Sequence, residues 1–142
     1  MVKIIMTGHG HYATGILSSL HLIAGVQENV ATIDFVEGMS SEDVKVALKN
    51  AIEGADDILV LCDLLGGTPF NVASQIMCEY PEKTINVLTG LNLAMIMEAV
   101  FARTEGTFDE IVSKVLLAAH TGIVDAKTLF NTSDDTEIED GI

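Results

Sequence analysis

The sequence predicts a three-layer α/β domain built on a mainly parallel, four-stranded sheet in the order 2-1-3-4. Three observations carry that prediction. Short β-branched runs alternate with longer segments of helical period. The run over residues 57–62 is apolar on both alternating faces from Ile58 onward, as a strand inside a parallel sheet requires. Loops rich in Gly, Thr, Asp and His follow the first and third runs, where open α/β sheets gather ligands beyond the strand carboxyl ends. Repeated βα units joined by right-handed crossovers then place helices on both sheet faces.

The elements follow in order. Residues 2–6 are apolar apart from Lys3 and form the first strand. Residues 13–24 set Ile16, Leu17, Leu20, Ile23 and Ala24 on one helical face. Residues 30–36 are the second strand. Ser40 caps a helix that reaches Ile52 through Val44, Ala47, Leu48 and Ala51. After the third strand, Thr68 stands at an N-cap and Pro69 at a first helical position, opening a helix over 70–79. Residues 84–88, bounded by Pro81 and Gly90, are the fourth strand. Two successive helices follow over 92–102 and 108–120, divided by Arg103-Thr104-Glu105-Gly106-Thr107. Residues 122–129 read as a last strand or an extended arm.

The chain has 142 residues, 49% of them hydrophobic, which suits one domain with a full core. Acidic side chains number 21 against 7 basic ones, a net charge of −14. That balance excludes a general nucleic-acid binder, which needs a basic footprint, and disfavours anionic membranes. Five of the acids crowd residues 131–142, which read as a solvated tail; the body over 1–130 remains at −9. No run approaches the roughly 18–20 apolar residues of a membrane span, and the apolar N-terminal run is too short for a signal peptide. Cys62 and Cys78 fit neither a disulfide framework nor a zinc ribbon, so a reducing cytoplasm is expected.

Chemistry concentrates in two loops, Thr7-Gly8-His9-Gly10-His11 and Asp63-Leu64-Leu65-Gly66-Gly67-Thr68-Pro69-Phe70-Asn71. In a flavodoxin-like strand order these loops face one another and His9 meets Asp63. A carboxylate that accepts from Nδ1–H fixes the tautomer and leaves the Nε2 lone pair directed outward, as a base, a metal ligand or a nucleophile. Gly66 and Gly67 let backbone approach a ligand closely, while Thr68, the amides after it and the helix dipole favour an anion. A phosphoryl group on His9 Nε2 fits this set. Neither loop holds an arginine or lysine and no P-loop lysine motif exists, which argues against a nucleotide kinase.

Thr7-Gly8-His9-Gly10, Asp34-Phe35-Val36-Glu37-Gly38 and the run from Asp63 to Asn71, three motifs in order, resemble the enzyme IIA domain of the mannose/fructose/sorbose class of the bacterial sugar phosphotransferase system. The resemblance covers residues 1–130. It implies a cytoplasmic phosphotransferase component that takes a phosphoryl group from HPr on His9 and passes it to a cognate enzyme IIB, with no cofactor and no metal. It also implies that Asp63 supports the histidine and that Thr68 lies near the phosphate. Family members are typically homodimers that exchange a C-terminal strand, which gives residues 122–129 a purpose. Leu64-Leu65 stand where members often carry threonine and tryptophan, in the expected partner-docking loop, and His11 is a second departure.

Three other readings compete. The phosphotransfer subunit of a dihydroxyacetone kinase also uses an N-terminal loop histidine, but the Gly-Gly-Thr-Pro-Phe-Asn run better matches the mannose class. A small metal-dependent hydrolase would take His9, His11 and Asp63 as ligands, yet the facing loops hold no third histidine. A non-catalytic acidic binding module is the third.

Overall fold

The computed structural model describes residues 1–131. The acidic tail expected over 131–142 lies outside them, apart from Asn131. Four parallel strands, β1 (Lys3–His9), β2 (Val30–Phe35), β3 (Asp57–Cys62) and β4 (Thr84–Leu88), form one sheet in the order β2-β1-β3-β4. The helices are α1 (Tyr12–Ala24), α2 (Ser41–Ile52), α3 (Thr68–Glu79), α4 (Leu93–Ala102), α5 (Phe108–Thr121) and α6 (Ala126–Asn131). This is the predicted architecture, with the central strand pair β1 and β3 carrying the two loops of interest.

Alternation along the central strands separates two apolar layers. Ile4 and Met6 of β1, with Leu59 and Leu61 of β3, pack with Leu20 of α1, Met95 and Ile96 of α4 and Val115 of α5. Ile5, Ile58, Val60 and Cys62 face the other way, against Val44 and Leu48 of α2 and Val72 and Ile76 of α3. The register Ile4↔Leu59, Ile5↔Val60, Met6↔Leu61 keeps like faces side by side. Burying each such aliphatic side chain contributes about 1.5–3 kcal/mol, and a one-residue slip would turn both layers inside out.

The helix starts have identifiable caps. Ser40 and Asp43 form a reciprocal capping box on α2, and Thr107 and Glu110 form another on α5. The His11 side chain does not cap α1. Asp34, at the end of β2, does so from outside the helix, accepting from the Thr14 amide at 3.1 Å and its hydroxyl at 2.6 Å.

Three differences from the predicted elements bear on the site and the C-terminal segment. The strand β1 runs on to His9, because its pairing with β2 continues through Gly8↔Asp34 and His9↔Phe35; His9 therefore ends a strand. Gly67, extended at φ −80° and ψ 173°, is the N-cap of α3, and Thr68 is already helical. Residues 122–129 form no strand among the described residues. Gly122 continues helically at φ −74° and ψ −7°, and the Asp125 carboxylate then accepts from the Lys127 amide at 3.1 Å and the Thr128 hydroxyl at 2.7 Å, starting α6. Local capping at Asp125 outweighs the β-branched pair Ile123-Val124.

Candidate functional site

The strand order sets the ends of β1 and β3 side by side. Their ladder closes at Thr7↔Cys62, and the Asp63 amide donates one bond further, to the Thr7 carbonyl at 3.2 Å. Asp63 thereby emerges beside His9. One carboxylate oxygen, Oδ2, accepts from the His9 amide at 2.9 Å and meets His9 Nδ1 at 2.7 Å; Oδ1 accepts from the Leu64 amide at 2.9 Å. Gly8 makes the approach possible, since a Cβ there would stand 3.0 Å from both Asp63 Cβ and Cγ.

The Asp63 side chain is 7% exposed and the His9 ring 45%. Burial alone would raise the Asp63 pKa. The amide and ring of His9 and the amide of Leu64 outweigh it and hold the carboxyl below its ordinary value. An ionised carboxylate 2.7 Å from Nδ1 assigns the ring proton to that nitrogen. The lone pair of Nε2 is left for chemistry.

Two neighbours fix the ring plane. Phe35 of β2 meets it edge-on, with centroids 5.8 Å apart and planes at 70°. On the α3 side, a Cβ at Gly67 would fall 2.5 Å from His9 Cε1 and 3.0 Å from Nε2. Glycine is needed at 67 for space, and at 66 for conformation, where φ is +88°. This also explains why the cap of α3 carries no side chain. Nε2 consequently lies at the start of a twelve-residue helix, whose Thr68 and Phe70 amides have no intrahelical acceptor. Such an end favours negative charge, so the arrangement can hold an anion attached to or approaching Nε2.

Thr68 lies in the first turn of α3, at the rim of a polar groove shared with Ser41, Glu42 and Lys45 of α2. Leu64 and Leu65, in the loop that follows Asp63, are 52% and 72% exposed. His11 does not join His9 and Asp63: its Nδ1 turns to Asp34 Oδ2 at 3.2 Å. The three residues considered as metal ligands therefore do not converge, and no group of three His, Cys, Asp or Glu among the described residues is placed to hold a metal ion. Burial, then the adjacent Asp63 charge, pushes the Cys62 thiol up to about 12, which leaves it a protonated apolar filler.

Sequence reasoning missed the roles of Phe35, Gly8 and Gly67 as walls of the histidine. All three lie inside the motifs it singled out, but their contacts with His9 or Asp63 are set by tertiary placement.

Two outcomes follow from this geometry. Gly67→Ala should drive the His9 ring off Asp63 and cost about 1–3 kcal/mol through overpacking; the histidine 15N shifts would register the displaced ring, and unchanged shifts would contradict it. Asp63, with its folded pKa below the ordinary 3.8, contributes stability that is complete above that value and is lost as pH falls through the lower folded one. Urea titrations between about pH 5 and pH 2 should therefore show a shallower acid limb for Asp63→Asn than for the parent protein. Equal slopes would mean that the carboxylate gains nothing on folding.

The mannose-specific EIIAB component of the phosphotransferase system (PTS) of Escherichia coli K12 is 35% identical over 133 residues, covering 90% of this chain and 39% of that protein. The chain thus spans about two fifths of that relative's length. Among solved structures, phosphotransferase system component EIIA from Streptococcus agalactiae matches with a TM-score of 0.88 and 56% identity, over 90% of this chain and 99% of that one. The mannose/sorbose-specific IIA subunit from Enterococcus faecalis matches with a TM-score of 0.78 and 30% identity, over 87% and 92%. The model of the EIIA-man family, described as PTS system fructose IIA component, matches residues 3–116, and the chain belongs to that family.

Proposed function

We propose that the protein is a phosphohistidine carrier for sugar uptake, accepting a phosphoryl group from phospho-HPr on His9 Nε2 and passing it to a cognate enzyme IIB. The observation that carries this reading is the 2.7 Å contact of His9 Nδ1 with Asp63, which directs the Nε2 lone pair to the start of α3. In the transfer, Nε2 attacks phosphorus in line as the donor's P–N bond breaks. The His9 ring becomes cationic, with Nδ1–H retained and the Asp63 carboxylate balancing the charge. Thr68 and the free amides of the first turn, reached past Gly66 and Gly67, receive phosphoryl oxygens. The reverse attack by the acceptor's histidine restores the neutral ring, so the carrier is reversible and consumes no proton.

Phosphoryl transfer requires positioning and charge stabilisation more than covalent machinery, and neutral donors with a helix dipole supply both. Leu64 and Leu65, exposed at the mouth, form the docking contact for both partners. The carrier domain spans residues 1–130 and works in the cytoplasm; among the described residues no helix is long and apolar enough to cross a membrane. It acts as a homodimer. Exposed Leu22 of α1, Phe101 of α4, Leu117 of α5, and Ile123 and Val124 beyond it support that association.

Incubation with phosphoenolpyruvate, enzyme I and HPr should place an acid-labile label on the protein. His9→Ala is expected to abolish the label and His11→Ala to retain it. Loss of label in His11→Ala alone would show that the site is misassigned.

A further inference from the structure

Tyr12, the first residue of α1, stands three positions beyond His9 and is 42% exposed. Its Cβ and the Asp63 side chain close over the same glycine: a Cβ on Gly8 would lie 3.1 Å from Tyr12 Cβ and 3.0 Å from Asp63 Cβ and Cγ. From there the Tyr12 phenol donates to the Leu91 carbonyl, in the connection between β4 and α4. The Leu91 amide in turn donates to the Cys62 carbonyl at 3.0 Å. That carbonyl belongs to the peptide leading into Asp63. A chain of hydrogen bonds therefore runs from the start of α1, across the end of the sheet, to the residue that carries the carboxylate.

The β1–β3 ladder gives out just where it is needed most. Beyond the Asp63 amide, the two strand ends are joined by the bonds of the Asp63 carboxylate itself. Phe35 and Gly67 press on the His9 ring, with α3 lying on one sheet face. The α1 side of the sheet holds the other half of the restraint, and Tyr12 supplies it by tying α1 to buried Leu91.

The geometry points to Tyr12 as a positioning residue for the His9–Asp63 pair. It keeps the end of β3 in register with the end of β1, so that the carboxylate stays on Nδ1 while a phosphoryl group arrives and leaves at Nε2. Its hydroxyl is directed to Leu91, so it acts through Asp63. The inference rests on the carrier reading for the reaction, and on the hydrogen-bond chain alone for the positioning.

Tyr12→Phe removes the hydroxyl and keeps the ring. With the fold checked by circular dichroism, transfer at saturating phospho-HPr should slow about fivefold, the rate equivalent of one net hydrogen bond, with KM unchanged. In the unphosphorylated variant, the 15N shifts of His9 should move from a single tautomer towards a mixture. Parent-like shifts together with a parent-like rate would overturn the inference. So would a raised KM at an unchanged maximal rate, which would place Tyr12 on the partner surface. If the parent protein accepts no phosphoryl group, the carrier reading fails by itself, and the 15N shifts of Tyr12→Phe still decide the positioning role.

Discussion

The 2.7 Å contact between His9 Nδ1 and Asp63 Oδ2 is the interaction around which the carboxyl edge of the sheet is arranged. It joins two side chains 54 positions apart in sequence, and it requires β1 and β3 to be neighbours. Two glycines serve it. Gly8 lets the carboxylate approach the strand end, and Gly67 lets the helix start approach the ring. Each is a close-packing requirement, in contrast to Gly66, whose φ of +88° is a turn requirement. The apolar layers on both faces hold the two strand ends rigid, so the side chains at the edge inherit a fixed geometry.

Electrostatics gives this edge its character. The chain is strongly acidic, yet neither facing loop holds an arginine or lysine. Two carboxylates there, Asp34 and Asp63, are kept ionised against the effect of their burial by hydrogen bonds from Thr14 and His11, and from His9 and Leu64. They do different work. Asp34 caps α1 and holds the exposed ring of His11, whereas Asp63 sets the tautomer of His9. In the proposed carrier, neutral backbone donors and the α3 dipole oppose the phosphoryl charge. A site without fixed cations binds that group less permanently, which suits a group that must leave again.

Much of this was legible in the sequence because the relevant signals are local. Strand runs, helical faces and the Ser40 cap each depend on residues within a few positions, whereas strand order 2-1-3-4 is the flavodoxin-like order that sets the two chemically loaded loops face to face. What escaped is tertiary. No local pattern announces that Phe35 will meet His9 edge-on, or that Tyr12 will reach Leu91 across 79 positions. Propensity favours Thr68 as the cap of α3, while steric room beside His9 decides for Gly67, one residue earlier. Residues 122–129 read as extended from Ile123-Val124, and the side-chain acceptor of Asp125 starts α6 at Ala126 instead.

In the proposed carrier, Nε2 of His9 carries the phosphoryl group while Nδ1 stays with Asp63. Phosphorus–nitrogen NMR on the histidine-15N protein, phosphorylated through HPr, tests this atom by atom. One phosphorus resonance coupled to Nε2 of His9, with Nδ1 retaining its proton, is the predicted result. Coupling to Nδ1 of His9, or to either nitrogen of His11, would contradict it.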